Sequence, residues 1–221
     1  MAFRHLFLRA ERHLARLGLS ATLNAGPTVS DATVEARRAL SLPLPESLIT
    51  FYRDVGDGVE FRWQAPDDDR VFANVEVPPL LDLVRSFEKR KAWDVVFDDA
   101  FQWPYARDPA RAKETALRIR GWLAFHCEGN GDAFCIDTAV DDDRVVFNSH
   151  EWMGTNREDN RWADCGTFRQ FLEGWAGVCF QFPRSLYWPE VLSGDRINWN
   201  SNLFDPRFRL RPADESPALS D

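Results

Sequence analysis

"FHCEGNGDAFCIDT" occupies residues 125–138 and places a His, two Cys, a Glu and two Asp around Gly129 and Gly131. Such a run is either a catalytic or metal-binding loop or the turn of a hairpin, and its flanks separate the two. "GWLAFHC" before it is apolar on both faces, which predicts a central strand. "AFCIDT" after it predicts a second strand. "RVVFNSHEW" predicts a third, beyond the acidic turn "AVDDD". A phosphate-cradling loop requires a helix whose N-terminus faces the anion, and here a strand follows. The stretch therefore reads as a turn in a three-stranded meander. Gly129 and Gly131 supply positive φ, and Asp132 accepts backbone N–H groups across the bend.

The chemistry-bearing residues are weighed within that frame. His126 and Cys127 are strand neighbours and point to opposite faces, so they form no dyad with each other. Cys127 and Cys135 share a face and read as small core hydrophobes; a metal or redox pair and an activated nucleophile are the alternatives. "HEW" at 150–152 lacks the second His of the zinc-protease pattern, because position 154 is Gly. His150 then reads as a packed residue at a strand end. No catalytic, cofactor-binding or metal-binding residues are expected.

Upstream, "LPESLITFYRDVGDG" predicts a helix with Pro45 in its first turn, a stripe of Leu48, Phe51, Tyr52 and Val55, and a stop at Gly56 followed by the turn Asp57-Gly58. "VEFRWQ" alternates with Val59, Phe61 and Trp63 on one side, and "VFANVEV" returns as its hairpin partner across the polar tip "APDDDR". "LLDLVRSFEKR" predicts a helix after Pro78-Pro79. "DPARAKETALRIRG" suggests another, capped by Asp108. Downstream, "TFRQFLEGWAGVCFQFP" predicts a helix opened by a Thr167/Gln170 capping box, with Gly174 and Gly177 weakening its end. Helices and antiparallel strands alternate in blocks, which predicts an α+β fold: one mixed, largely antiparallel sheet of five or six strands with helices packed against it.

Four segments follow. Residues 1–29 form an amphipathic helix and linker, with Phe3, Phe7, Leu14 and Leu17 on one face and Arg4, Arg9, Arg12 and Arg16 elsewhere. Residues 30–183 are the body, 184–211 an aromatic wrap over it, and 212–221 a disordered tail. The first helix lacks the unbroken apolar stretch of a signal peptide, and no apolar run reaches the roughly 18 residues of a membrane span.

Across its 221 residues the chain carries 35 acidic and 27 basic side chains, a formal charge of −8. That balance disfavours nucleic acid and anionic membranes and favours a basic partner. The 4 Cys form no CxxC pair and suggest a reducing cytoplasm. The acidic residues cluster as Asp67-Asp68-Asp69, Asp98-Asp99 and Asp141-Asp142-Asp143. Each is either a solvated turn or part of a negative rim that steers a basic partner. Trp63 and Trp152 are the candidate aromatic anchors beside that rim, with a place in the core as the alternative for each.

The order of elements and several local strings resemble the SUKH superfamily of Smi/Knr-like domains over roughly residues 30–180. The strings are Leu44-Pro45, Phe51, Gly56 and Gly58; then Trp122, Phe125, Gly131-Asp132, Ile136-Asp137 and His150-Glu151; then Phe168, Phe171 and Leu172. The resemblance implies a binding protein without a shared catalytic centre. Bacterial members of that family act as immunity proteins of polymorphic-toxin and contact-dependent inhibition systems, where they neutralise a cognate toxin, often a nuclease, by non-covalent binding. The alternatives are an intracellular scaffold or regulator without a toxin, and a hydrolase or metal enzyme built on His126, Asp132, Cys135 and His150.

Overall fold

The computed structural model describes residues 3–38, 44–87, 121–128, 132–140, 142–148, 163–193 and 196–211. Helix α1 (Phe3–Arg16) leads into strand β1 (Thr22–Ala25), then α2 (Asp31–Arg38) and α3 (Glu46–Asp54). The hairpin β2 (Val59–Gln64) and β3 (Phe72–Val77) follows, then a helix over 80–87, here α4. Next come β4 (Trp122–Cys127), β5 (Ala133–Asp137), β6 (Arg144–Asn148), β7 (Ala163–Thr167) and α5 (Phe168–Gly177). The C-terminal strap holds two short 3-10 turns, Trp188–Val191 and Pro206–Phe208, and the small ladder β8 (Leu192–Ser193) and β9 (Arg196–Ile197). The fold is α+β, as the block pattern predicts.

All the pairings are antiparallel, and the main strands form two ladders, β1-β2-β3 and β4-β5-β6-β7. Two of these strands were read as linker or loop: β1, and the "ADCGT" edge strand β7. Their alternations, TLNA and ADCGT, span only four and five residues with few bulky apolar side chains, too faint a period-two signal to stand out. In β2 and β3 the alternation holds: Val59, Phe61, Trp63, Ala73, Val75 and Val77 are buried, and the intervening residues are polar. Strand β4 is apolar on both faces, yet it ends its ladder rather than lying at the centre. What stands beside it is β3, joined through a side chain described below.

The register of β4 against β5 shifts between Ala124 and His126. This bulge turns both Phe125 and His126 toward α5, where Phe125 meets Phe168 and Phe171 and His126 meets Trp175. A bulge of this kind re-aims one side chain at the cost of a ladder bond. The opposite face of the sheet buries Trp122, Ala124, Ala133, Cys135 and Val146.

The glycines of the "GDG" turn are explained by close approach. Gly56 and Gly58 have φ of 143° and 83°. A Cβ at Gly56 would strike the Gly26 carbonyl, and one at Gly26 would strike the Asp57 carbonyl. The 24–31 linker therefore lies backbone to backbone on this turn. Asp57 then accepts the Leu80 amide at 2.7 Å and starts α4. Tyr52 donates to the Pro78 carbonyl at 2.6 Å; burial, with Asp57 and Asp82 nearby, pushes its phenol well above the ordinary value.

Helix α5 opens with the complete Thr167/Gln170 capping box and runs through Gly174 to Gly177. Gly174 is there because the Trp199 indole of the strap lies directly on it. Helix α1 contributes Phe3, Leu6, Phe7, Ala10 and Leu14 to the same core; Phe7 stacks on Phe180 at 4.5 Å. Leu17, expected on that apolar face, is 47% exposed, because the helix ends at Arg16. Pro45 stands just outside α3 as its N-cap residue. The capping group arrives from afar, with the Asp143 carboxylate accepting the Ser47 amide at 3.2 Å.

Candidate functional site

Within the opening stretch, β4 and β5 pair antiparallel on either side of residues 129–131, which lie outside the described residues. The Glu128 amide donates to the Asp132 carbonyl at 2.8 Å and closes the link between β4 and β5. Gly131 lies outside the described residues, as do Asp98, Asp99, Asp141, His150, Glu151 and Trp152. Cys135 pairs with Ala124, and His126 pairs with Phe134. Paired residues share a face, so Cys135 lies on the face opposite His126 and the two make no nucleophile–base pair. Cys127, opposite Ala133, is on the Cys135 side. Cys127 is exposed and Cys135 buried. Among the described residues no group of three or more His, Cys, Asp or Glu is placed to hold a metal ion.

His126 joins the two ladders. Its Nδ1 lies 3.0 Å from the Glu76 carbonyl oxygen and 3.3 Å from the Glu76 amide of β3. Its Nε2 donates to Glu128 Oε1 at 2.9 Å, and Trp188 Nε1 donates to the same oxygen at 3.0 Å. The ring is 1% exposed. With Nε2 donating, the neutral ring's Nδ1 accepts from the Glu76 amide, a backbone group that a neighbouring strand would otherwise take, and its burial keeps it from solvent. Asp132, also 1% exposed, is likewise interior.

The tip of the β2–β3 hairpin is a developed polar surface. Asp67, Asp69 and Arg70 are exposed and Asp68 is half-buried, around an open depression of about 660 Å³. The strap clasps this tip. Arg207 binds Asp67 at 2.5 Å and Asp205 at 2.8 Å. Arg184 binds Asp205 at 2.7 Å and lies 3.7 Å from Asp68, while Arg70 bonds back to Asp68. Hydrogen bonds from Arg207 and Arg70 hold the Asp67 and Asp68 carboxyls below the ordinary carboxylate range. Burial pushes Asp205 up, but Arg207 and Arg184 outweigh it and its carboxyl stays below that range too.

These contacts change the expected rim. Asp67, Asp68, Asp69 and Asp205 face Arg70, Arg184 and Arg207, so the tip is nearly neutral and carries both signs in a fixed pattern. At the second cluster, Arg144 pairs with Asp142 at 2.5 Å, and Asp143 is committed to capping α3. Trp63 is no surface anchor: it is 4% exposed, donates to the Cys179 carbonyl at 2.7 Å and packs on Phe208. The "VEFRWQ" alternation already put it on the inward face with Val59 and Phe61. Arg184, Asp205 and Arg207, which build the tip, gave no sequence signal as a site. Only Asp205 before Pro206 could be read, as the cap of a short turn.

Among the described residues no helix is long and apolar enough to cross a membrane. No family model, curated protein or solved structure matches the chain.

Proposed function

We propose that the chain is an immunity protein that neutralises a basic toxin domain by stoichiometric, non-covalent binding, with the Asp67–Arg70 tip as part of the contact surface. The family resemblance of residues 30–180 supports this reading, and one observation carries it to a surface. The exposed Asp67, Asp69 and Arg70 stand on a tip fixed to the strap by Arg207 and Arg184. A charged surface held in one geometry before binding loses little conformational entropy in the complex. Its alternating signs favour a partner with the matching pattern, which gives selectivity more than raw affinity. The overall charge of −8 supplies the longer-range attraction for a basic domain.

The test is co-expression with any basic toxin domain found encoded beside the gene for this chain. The expected result is survival of the cells and a stable complex on purification, both weakened by Asp69→Lys, which leaves the Arg207 contacts in place. Survival without any complex, or turnover of a toxin substrate or product by the purified chain alone, contradicts the proposal.

A further inference from the structure

The outward side of α1 is charged against the rest of the molecule. The helix carries Arg4, Arg9, Arg12 and Arg16 against Glu11, a formal +3 in a chain of −8, which leaves −11 elsewhere. Arg4, Leu8, Arg12, Ala15 and Arg16 are exposed along one side, a stripe about 18 Å long at 1.5 Å per residue. Burial together with Arg12 and Arg9 pushes the His5 imidazole below its ordinary value, as a positive local field does. Leu8 and Leu17, 37% and 47% exposed, lie along or beside the stripe and are two of the exposed large hydrophobics among the described residues. The helix does not need this side for packing, since Phe3, Leu6, Phe7, Ala10 and Leu14 already fill its inward face.

We propose that this stripe is a docking surface for an acidic polypeptide segment of a partner protein, a second interaction surface whose case does not depend on what the hairpin tip binds. Charge decides against the other occupants. A duplex or an anionic lipid surface extends far beyond the helix and meets the repulsion of the −11 remainder. A membrane also calls for an apolar helix face to insert, and here that face is buried in the core. A second copy related by a two-fold axis through α1 would set Arg against Arg. A short acidic segment meets only the stripe, pairs with Arg4 and Arg12, and places an apolar side chain against Leu8. The end of α1 adjoins the tip, with His13 Nε2 3.2 Å from the Arg207 carbonyl oxygen, so one partner can reach both.

The experiment measures binding of fluorescent poly-L-glutamate of about 20 residues to the full chain at low salt. The expected result is saturable binding that weakens about tenfold in Arg4→Glu/Arg12→Glu, less in Arg4→Gln/Arg12→Gln, with all three proteins melting at the same temperature. Leu8→Ser is expected to lower affinity for a Leu-containing poly-glutamate while leaving the all-Glu probe unaffected. Binding that ignores both arginine substitutions overturns the proposal. So does tighter, arginine-dependent binding of duplex DNA or of phosphatidylserine vesicles. Binding seen only in an Asp214→Asn/Glu215→Gln chain assigns the stripe to the chain's own acidic end and overturns it as well.

Discussion

Single residues hold together parts of the chain that are far apart in sequence. His126 links β4 to β3, and removing its ring takes a partner from a Glu76 backbone group and from the Glu128 carboxylate in a buried setting, leaving Glu128 only the Trp188 indole N–H. His126→Leu is expected to cost about 3 kcal/mol, since unsatisfied buried polar groups cost about 1–3 kcal/mol each and some relax; urea unfolding measures it, and a neutral effect would show that the ring merely fills space. Asp205, whose side chain is 3% exposed between Arg184 and Arg207, gives a pH prediction. Its folded carboxyl titrates below the unfolded one. Its contribution is therefore complete above about pH 4 and lost as pH falls through the lowered folded value. Asp205→Asn should cost about 1–2 kcal/mol at neutral pH, because it weakens charge-assisted hydrogen bonds to Arg184 and Arg207, whose own charges stay partly solvated. Thermal melts should show that difference shrinking below about pH 4. A difference constant from pH 7 to pH 2 would remove the ion-pair explanation. The sequence made His126 visible as a residue to explain but placed it by simple alternation. The bulge that re-aims it depends on how β5 pairs, which no local pattern encodes.

At the scale of elements, legibility followed periodicity. The inward faces of α3, β2, β3 and α5 were readable because their apolar spacing repeats, and the α5 capping box was readable because it is local. Strands β1 and β7 were not, because four and five residues with few bulky apolar side chains give too faint an alternation to stand out. Neither was the Asp143 cap on α3, which crosses 96 residues. Gly174 shows the limit most clearly: local propensity counts it as a weak point, whereas the strap requires it. Gly174→Ala should therefore destabilise by about 1–3 kcal/mol, as overpacking does, with a red shift of tryptophan emission as Trp199 lifts toward solvent. Helix propensity alone predicts the opposite sign, a gain of about 1 kcal/mol, so a calorimetric melt separates the two accounts.

For the whole molecule, the clustered acidic charge is distributed among ion pairs and a cap rather than pooled in a rim. The acidic rim anticipated from three Asp runs is, where the chain is described, an ion-paired tip, an Asp142–Arg144 pair and a helix cap. The α+β architecture could be argued from block order, whereas the candidate surface could not, since Arg184, Asp205 and Arg207 reach the tip only through the path of the strap. The steering role of the tip and of the net charge is tested most directly by the association rate constant for the chain and its toxin domain, measured by stopped flow at about 20 and 500 mM salt. The account predicts a rate that falls about tenfold or more with added salt in the wild-type chain, and a slower, less salt-sensitive rate for Asp69→Lys. Equal rates for the two proteins, unchanged by salt, would contradict it.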